Sequence, residues 1–212
     1  GVVDKDNDGW RDLPRGKPLL VRIDRDANAN KTDVQANEMV KADWEAIGIR
    51  TILNPIDGSA LGIMDQTASF DIRDSWELGD GPNHLVFPQW VVPIDLSRWA
   101  PLNGAWYSVQ GTAKETMELD KAPRDRTPPR EAPEEGGPVD RLQKIYDIAK
   151  IEPDEAKRDE LVQEMIRIHI EDGPFFIGTI ADYPRAVIVN KKMRNVPDGK
   201  DLALGGFVNP WI

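Results

Sequence analysis

Leu19-Leu20-Val21-Arg22-Ile23 is a short, mostly apolar run after Pro18, and it predicts a strand. Polar turn residues follow from Asn28 to Lys31. Within residues 32–47, Val40, Trp44 and Ile47 recur at helical spacing, and Gly48 stands where a left-handed residue ends a helix. Ile49-Arg50-Thr51-Ile52-Leu53 predicts the next strand. A strand, a helix and a strand in this order favour a parallel pair with a right-handed crossover. A shorter helix over residues 60–67 leads to a strand over Phe70–Trp76, where Asp71 and Arg73 give one face a polar character. From Gly79 to Gly111 the periodicity weakens, although Trp90, Trp99, Trp106 and Tyr107 all lie there.

Residues 122–138 hold five prolines and no large apolar side chain. Such a segment cannot bury enough surface to offset its ordering entropy, so it reads as a mobile Pro-rich insertion, with a domain linker as the alternative. Two helices are expected next. One covers residues 139–150, with Leu142, Ile145, Tyr146 and Ala149 on one face. The other starts at Pro153, with Leu161, Met165 and Ile168 as its stripe, and Gly173-Pro174 stops it. Phe175–Ile180 and Ala186–Val189 read as closing strands. The order is β-α-β-α-β, an irregular stretch, two helices and two strands, which is an α/β or α+β layered domain without internal repeats.

Composition narrows the function classes. The 212 residues carry 27 Lys+Arg against 37 Asp+Glu, a formal net charge of −10. No clustered basic face is present, so nucleic acid is not an expected partner. The absence of cysteine excludes disulfides, thiolate nucleophiles and Cys-zinc sites. No apolar run reaches the roughly 20 residues that span a bilayer. The chain opens Gly1-Val2-Val3 with neither Met nor signal peptide and is expected to be a fragment of a longer protein.

The sharpest local motif is Asp4-Lys5-Asp6-Asn7-Asp8-Gly9-Trp10-Arg11-Asp12. Asp4, Asp6, Asp8 and Asp12 occupy positions 1, 3, 5 and 9 of a calcium loop, with Gly9 at position 6. Arg15 stands where the bidentate Glu belongs, so a solvated Asp/Gly turn competes with calcium. Asp24, Asp26, Asn28 and Asn30 alternate similarly, but their expected role is a strand end and a helix cap by Asn30 or Thr32. The carboxylates Asp71, Asp74, Glu77 and Asp80 could be paired on paper, yet with so many acids chance pairs are expected. No nucleophile elbow, zinc helix or phosphate loop is present. Of the two histidines, His169 lies between Ile168 and Ile170 and reads as a helix-surface or packed residue. These points argue against an enzyme. Trp76, Glu77, Asp80 and His84 form a different cluster at a strand end. There an aromatic face and acids could hold a cationic or amine-bearing ligand, or Trp76 could simply be core.

Four stretches in order resemble the C-terminal half of family 5 extracellular solute-binding proteins, the peptide/nickel-type ABC receptors. They are Asp6-x-Asp8-Gly9-x-Arg11-Asp12 with Gly16-Lys17-Pro18-Leu19; Trp44-Glu45-Ala46-Ile47-Gly48-Ile49; Phe70-Asp71-Ile72-x-x-Ser75-Trp76; and Asp154-Glu155-x-Lys157-Arg158-x-Glu160-Leu161 with Ile170-Glu171-Asp172-Gly173-Pro174. The resemblance covers the chain apart from about residues 105–138. It implies a type II periplasmic-binding fold of α/β class, with residues 1–212 forming a single C-terminal lobe. It also implies an extracytoplasmic setting, a preceding N-terminal lobe, ABC permease subunits as partners, and closure on a peptide or similar small solute. By the same resemblance Asp80, or Glu77 in its place, would pair with a ligand ammonium, and the Asp/Gly turn would be structural. A carbohydrate-binding member of the same class and a calcium-stabilised interaction module are the competing readings. No other cofactor is expected.

Overall fold

The computed structural model describes residues 1–75, 85, 88–95, 99–178 and 190–196. The chain divides into two compact units where the sequence predicts one lobe. The first is Gly1–Trp76 with Ala100–Ala132, and the second is Glu77–Trp99 with Pro133–Ile212.

The first unit is built on a parallel sheet. Strand β1 (Leu20–Asp26) leads through helix α1 (Lys31–Ala46) to β2 (Arg50–Ile56), and helix α2 (Gly58–Thr67) leads to β3 (Ile72–Arg73). The order is β2-β1-β3, with both neighbours parallel to β1. The register sets Asp24 beside Asn54 on one side and Arg73 on the other. The expected β-α-β unit is therefore present, with β1 and β2 running further than the apolar run alone indicates.

Local chemistry fixes the ends of α1. The Asn30 side chain accepts from the Asp33 amide at 3.0 Å, which caps the first turn. At the other end Gly48 takes φ +82. Its N–H reaches Glu45 O and that of Ile49 reaches Trp44 O, a Schellman closure that satisfies two helix-end carbonyls. Val40 and Trp44 are half-buried, but Ile47 is exposed, so the expected apolar stripe stops one turn early. Asn37 is the one buried residue of the helix.

Residues expected to be irregular include a helix, α3 (Pro101–Val109), with Pro101, Leu102, Gly104 and Val109 buried. The Pro-rich stretch holds a short 3-10 turn at Pro123–Asp125. Arginine side chains supply several of its hydrogen bonds. Arg124 Nη2 donates to Ala68 O at 3.0 Å and Arg126 Nη1 to Arg130 O at 3.0 Å. Arg130 is fully buried and donates to Pro128 O at 3.0 Å and to Met117 O. Charge-assisted bonds to carbonyls thus tie down a segment that lacks apolar anchors.

The second unit packs α4 (Pro138–Ala149) against α5 (Glu155–Glu171). Its core is Val91, Val92, Trp99, Leu142, Ile145, Ala149, Met165 and Ile168. Pro153 is not the first helical residue. Asp154 is the cap, accepting from Lys157 N at 3.2 Å, and Pro153 precedes it. Phe175 and Phe176 lie in a bend rather than in the expected strand, and Ala186–Val189 lies outside the described residues. Among the described residues no helix is long and apolar enough to cross a membrane.

Candidate solute-binding edge

All three strands of the sheet are parallel, so their carboxyl ends share one edge. The chain goes from β1 to β2 on one flank and then crosses to β3 on the other, so the order switches at β1. In open α/β sheets ligands gather outside the carboxyl ends at such a switch. This edge is polar. Asp24 is fully buried near the end of β1, a placement that is costly for a carboxylate unless it is paired. Arg22 Nε donates to both of its oxygens, at 2.9 and 3.1 Å, and Asn54 Nδ2 donates at 2.7 Å. Arg22 and Asp24 are two residues apart and so share one face of the strand.

Asp74 extends the pairing one residue past β3, its N–H donating to Asp24 O at 2.9 Å. Its Oδ2 accepts from Asn37 Nδ2 at 2.8 Å, and the same amide donates to Asp33 O at 2.9 Å. Asp33 stands close by, and burial, then the charge of Asp74, hold its carboxyl above the ordinary value. The Ser75 hydroxyl is buried and has no partner among the described residues.

The chain then runs directly into the predicted ligand residues. Trp76, Glu77, Asp80 and His84 lie outside the described residues. The residues that organise this edge, Asp24, Asn37 and Asn54, are missed by the sequence reading as site-forming positions. A usable signal exists: Asp24 and Asn54 are polar residues at the carboxyl ends of predicted strands.

The Asp/Gly loop brings ligand atoms of Asp4, Asp6 and Asp8 within 4.8 Å of one another. Asp12 is turned elsewhere, its Oδ2 accepting from Lys5 N at 3.0 Å. The clustered carboxylates already accept backbone amides: Gly9 N to Asp4 at 2.9 Å, Asp8 N to Asp6 at 3.2 Å and Trp10 N to Asp8 at 2.9 Å. The loop is also latched to the end of α1. Arg11 N donates to Gly48 O and Arg11 Nε to Ile47 O, both at 2.7 Å. Arg50 lies 5.0 Å from the Trp10 ring centre. These bonds hold the loop as a turn, and Asp4 Oδ1 is buried without a partner among the described residues. The expected result in thermal unfolding is that millimolar calcium or EDTA moves the midpoint by less than about 1 °C, since an ion held by the folded state alone would raise it.

His169 sits in an aromatic cluster, 5.3 Å from both Trp99 and Phe175, with Nε2 at 2.7 Å from Val91 O. Trp99 and Phe175 stack at 4.6 Å. Of the two expected placements this is the packed one.

No family model matches the chain. The periplasmic alpha-galactoside-binding protein of Rhizobium meliloti is 23% identical over 228 residues, taking in 100% of this chain and 27% of that protein. The oligopeptide-binding protein OppA superposes with TM-score 0.61 at 24% identity, covering 80% of this chain and 26% of that one. MelB of Agrobacterium fabrum, a periplasmic binding protein solved with stachyose, gives TM-score 0.50 at 17% identity, covering 80% and 22%. All three are named as binding proteins and not as enzymes. The fold shared with the two solved structures makes the sheet and its helices an α/β lobe of periplasmic-binding type. The chain is similar in sequence and in structure to family 5 solute-binding proteins and spans about a quarter of their length.

Proposed function

We propose that this chain is part of an extracytoplasmic solute receptor serving an ABC importer. The observation that carries the reading is the parallel sheet itself, whose order switches at β1 and whose carboxyl edge holds the buried polar residues Asp24 and Asn37. The protein closes on its solute as a clamp, which is gating without chemistry. The rest of the receptor, including its N-terminal lobe, supplies the other part of the site, and permease subunits receive the solute.

Two solute classes fit. A peptide would place its ammonium against Asp80 or Glu77 in a charge-assisted hydrogen bond. An oligosaccharide would stack a sugar face on Trp76 and present hydroxyls to carboxylates and carboxamides. The relative that aligns over the whole chain is named for α-galactosides, and this favours the sugar reading. Calorimetric titration of the full-length receptor with stachyose and with trialanine tests both. One of the two binds with a dissociation constant of about a micromolar or tighter, and a protein that binds neither contradicts the proposal.

A further inference from the structure

We propose that Arg25 and Ser75 contact the solute directly, donating at the carboxyl edge of the sheet to hydroxyl oxygens of an oligosaccharide. The inference rests on the receptor reading above and deepens it, and both residues belong to the first unit.

Two arginines stand three residues apart on β1 and differ in what they hold. Arg22 is committed to the buried carboxylate of Asp24. Arg25 lies one residue from the end of the strand. The ladder that sets Arg73 beside Asp24 continues with Asp74 N on Asp24 O, which brings Asp74 opposite Arg25. With Asp74 opposite and Asp26 next in the chain, Arg25 still forms no ion pair among the described residues. Its bond is local: Nη1 donates to Asp26 O at 3.1 Å. Its Nε is buried and has no acceptor among the described residues, and the same holds for the hydroxyl of Ser75, the residue after Asp74. A buried donor left unmade costs about 1–3 kcal/mol. Two of them at one end of one sheet therefore call for a reason. Packing does not supply it, because methionine and alanine would fill similar space without an idle donor. The edge where they lie is the one at which the strand order switches. A solute oxygen placed there provides the missing acceptors.

The surrounding charges select the chemistry of the solute. Asp26 and Asp74 are the neighbours of Arg25 along the chain and across the ladder, and the charge of Asp74 is felt as far as Asp33. A solute carboxylate brought to Arg25 meets these acids and is repelled by them. A sugar hydroxyl carries no charge. It accepts from the guanidinium or from Ser75 and donates its own proton to a neighbouring carboxylate, so it uses donors and acceptors of this edge together. The Nε–Nη2 side of a guanidinium presents two parallel N–H groups, a fork that suits adjacent hydroxyls on one ring.

Arg25→Met keeps an unbranched stem and removes the donors, and Ser75→Ala removes only the hydroxyl. The measurement is calorimetric titration of the full-length receptor and of both variants with stachyose and with trialanine, alongside thermal midpoints of the unliganded proteins. Stachyose binding weakens about tenfold or more in Arg25→Met, the scale of lost bonds from a charged group, and about fivefold in Ser75→Ala. Neither midpoint falls by more than about 1 °C, because each change removes a donor that the unliganded fold leaves idle. Undiminished stachyose affinity in either variant overturns the pair as solute contacts. Midpoints several degrees lower in both variants overturn it too, since donors that support the unliganded fold are structural. An unaltered receptor that binds trialanine and not stachyose overturns the hydroxyl assignment and leaves the receptor reading standing. An unaltered receptor that binds neither probe overturns the receptor reading itself.

Discussion

Arg22→Met destabilises the protein by about 3 kcal/mol, the scale of breaking a buried ion pair by removing one partner. Asp24 is the reason. Its side chain is wholly buried, whereas that of Arg22 is 40% exposed, so the two members of the pair are not equivalent. Without the guanidinium the carboxylate keeps only Asn54 Nδ2 as a side-chain donor and has no counter-charge among the bonds described. The effect reads out as a lower urea midpoint with an unchanged slope. Replacing both partners, as Arg22→Met with Asp24→Leu, recovers much of the loss, because no buried charge is then left unpaired. The two changes are neighbours and are expected to be strongly non-additive, and the double-mutant cycle measures that coupling. Amide exchange accelerates in β1, β2 and β3 of the single variant.

Leu142→Ala has an effect of similar size, about 3 kcal/mol, by a different mechanism. Leu142 is fully buried on α4 within a core that includes Met165, Val92 and Ile168. Truncation removes three methyl-equivalent groups and leaves a cavity, and close-packed side chains collapse into such a gap only partly. The faster amide exchange falls on α4 and α5 in this case. Thermal unfolding and exchange of the two variants together therefore assign stability to the two compact units separately.

Much of the fold is legible from local rules. The strand–helix–strand start follows from an apolar run, helical spacing and Gly48, and the structure adds the Schellman bonds that explain the glycine. Helix α3 escapes notice because Asn103 and Gly104 interrupt it, although Leu102, Ala105, Trp106 and Val109 keep the i, i+3, i+4, i+7 spacing. The hydrogen bonding of the Pro-rich segment escapes notice for a different reason. A hydrophobicity argument cannot see order that arises from Arg124, Arg126 and Arg130 donating to backbone carbonyls.

The residues expected at the candidate site, Trp76, Glu77, Asp80 and His84, lie outside the described residues. Strand ends point to the stretch after Phe70, and an aromatic beside acids suggests a ligand. What sequence periodicity cannot supply is which polar residues are buried. Asp24 and Asn37 look like ordinary surface polars in one dimension, and only the parallel register and the helix crossing bring Asp24, Asn54, Asp74 and Asn37 to one edge. The alternating acids of the N-terminal loop show the reverse. They fit half of a calcium motif in sequence, and in the structure Asp4, Asp6 and Asp8 each accept one backbone amide while Arg11 latches the loop to α1.

The central claim is that the edge beyond β3 belongs to a solute site. Its most direct test is calorimetric titration of the full-length receptor and its Trp76→Ala variant with stachyose and with trialanine. The account predicts one solute bound by the unaltered receptor at about micromolar strength or tighter, and about tenfold or more weakening in the variant, as for loss of a buried aromatic anchor. Binding of neither solute, or undiminished affinity in Trp76→Ala, contradicts it.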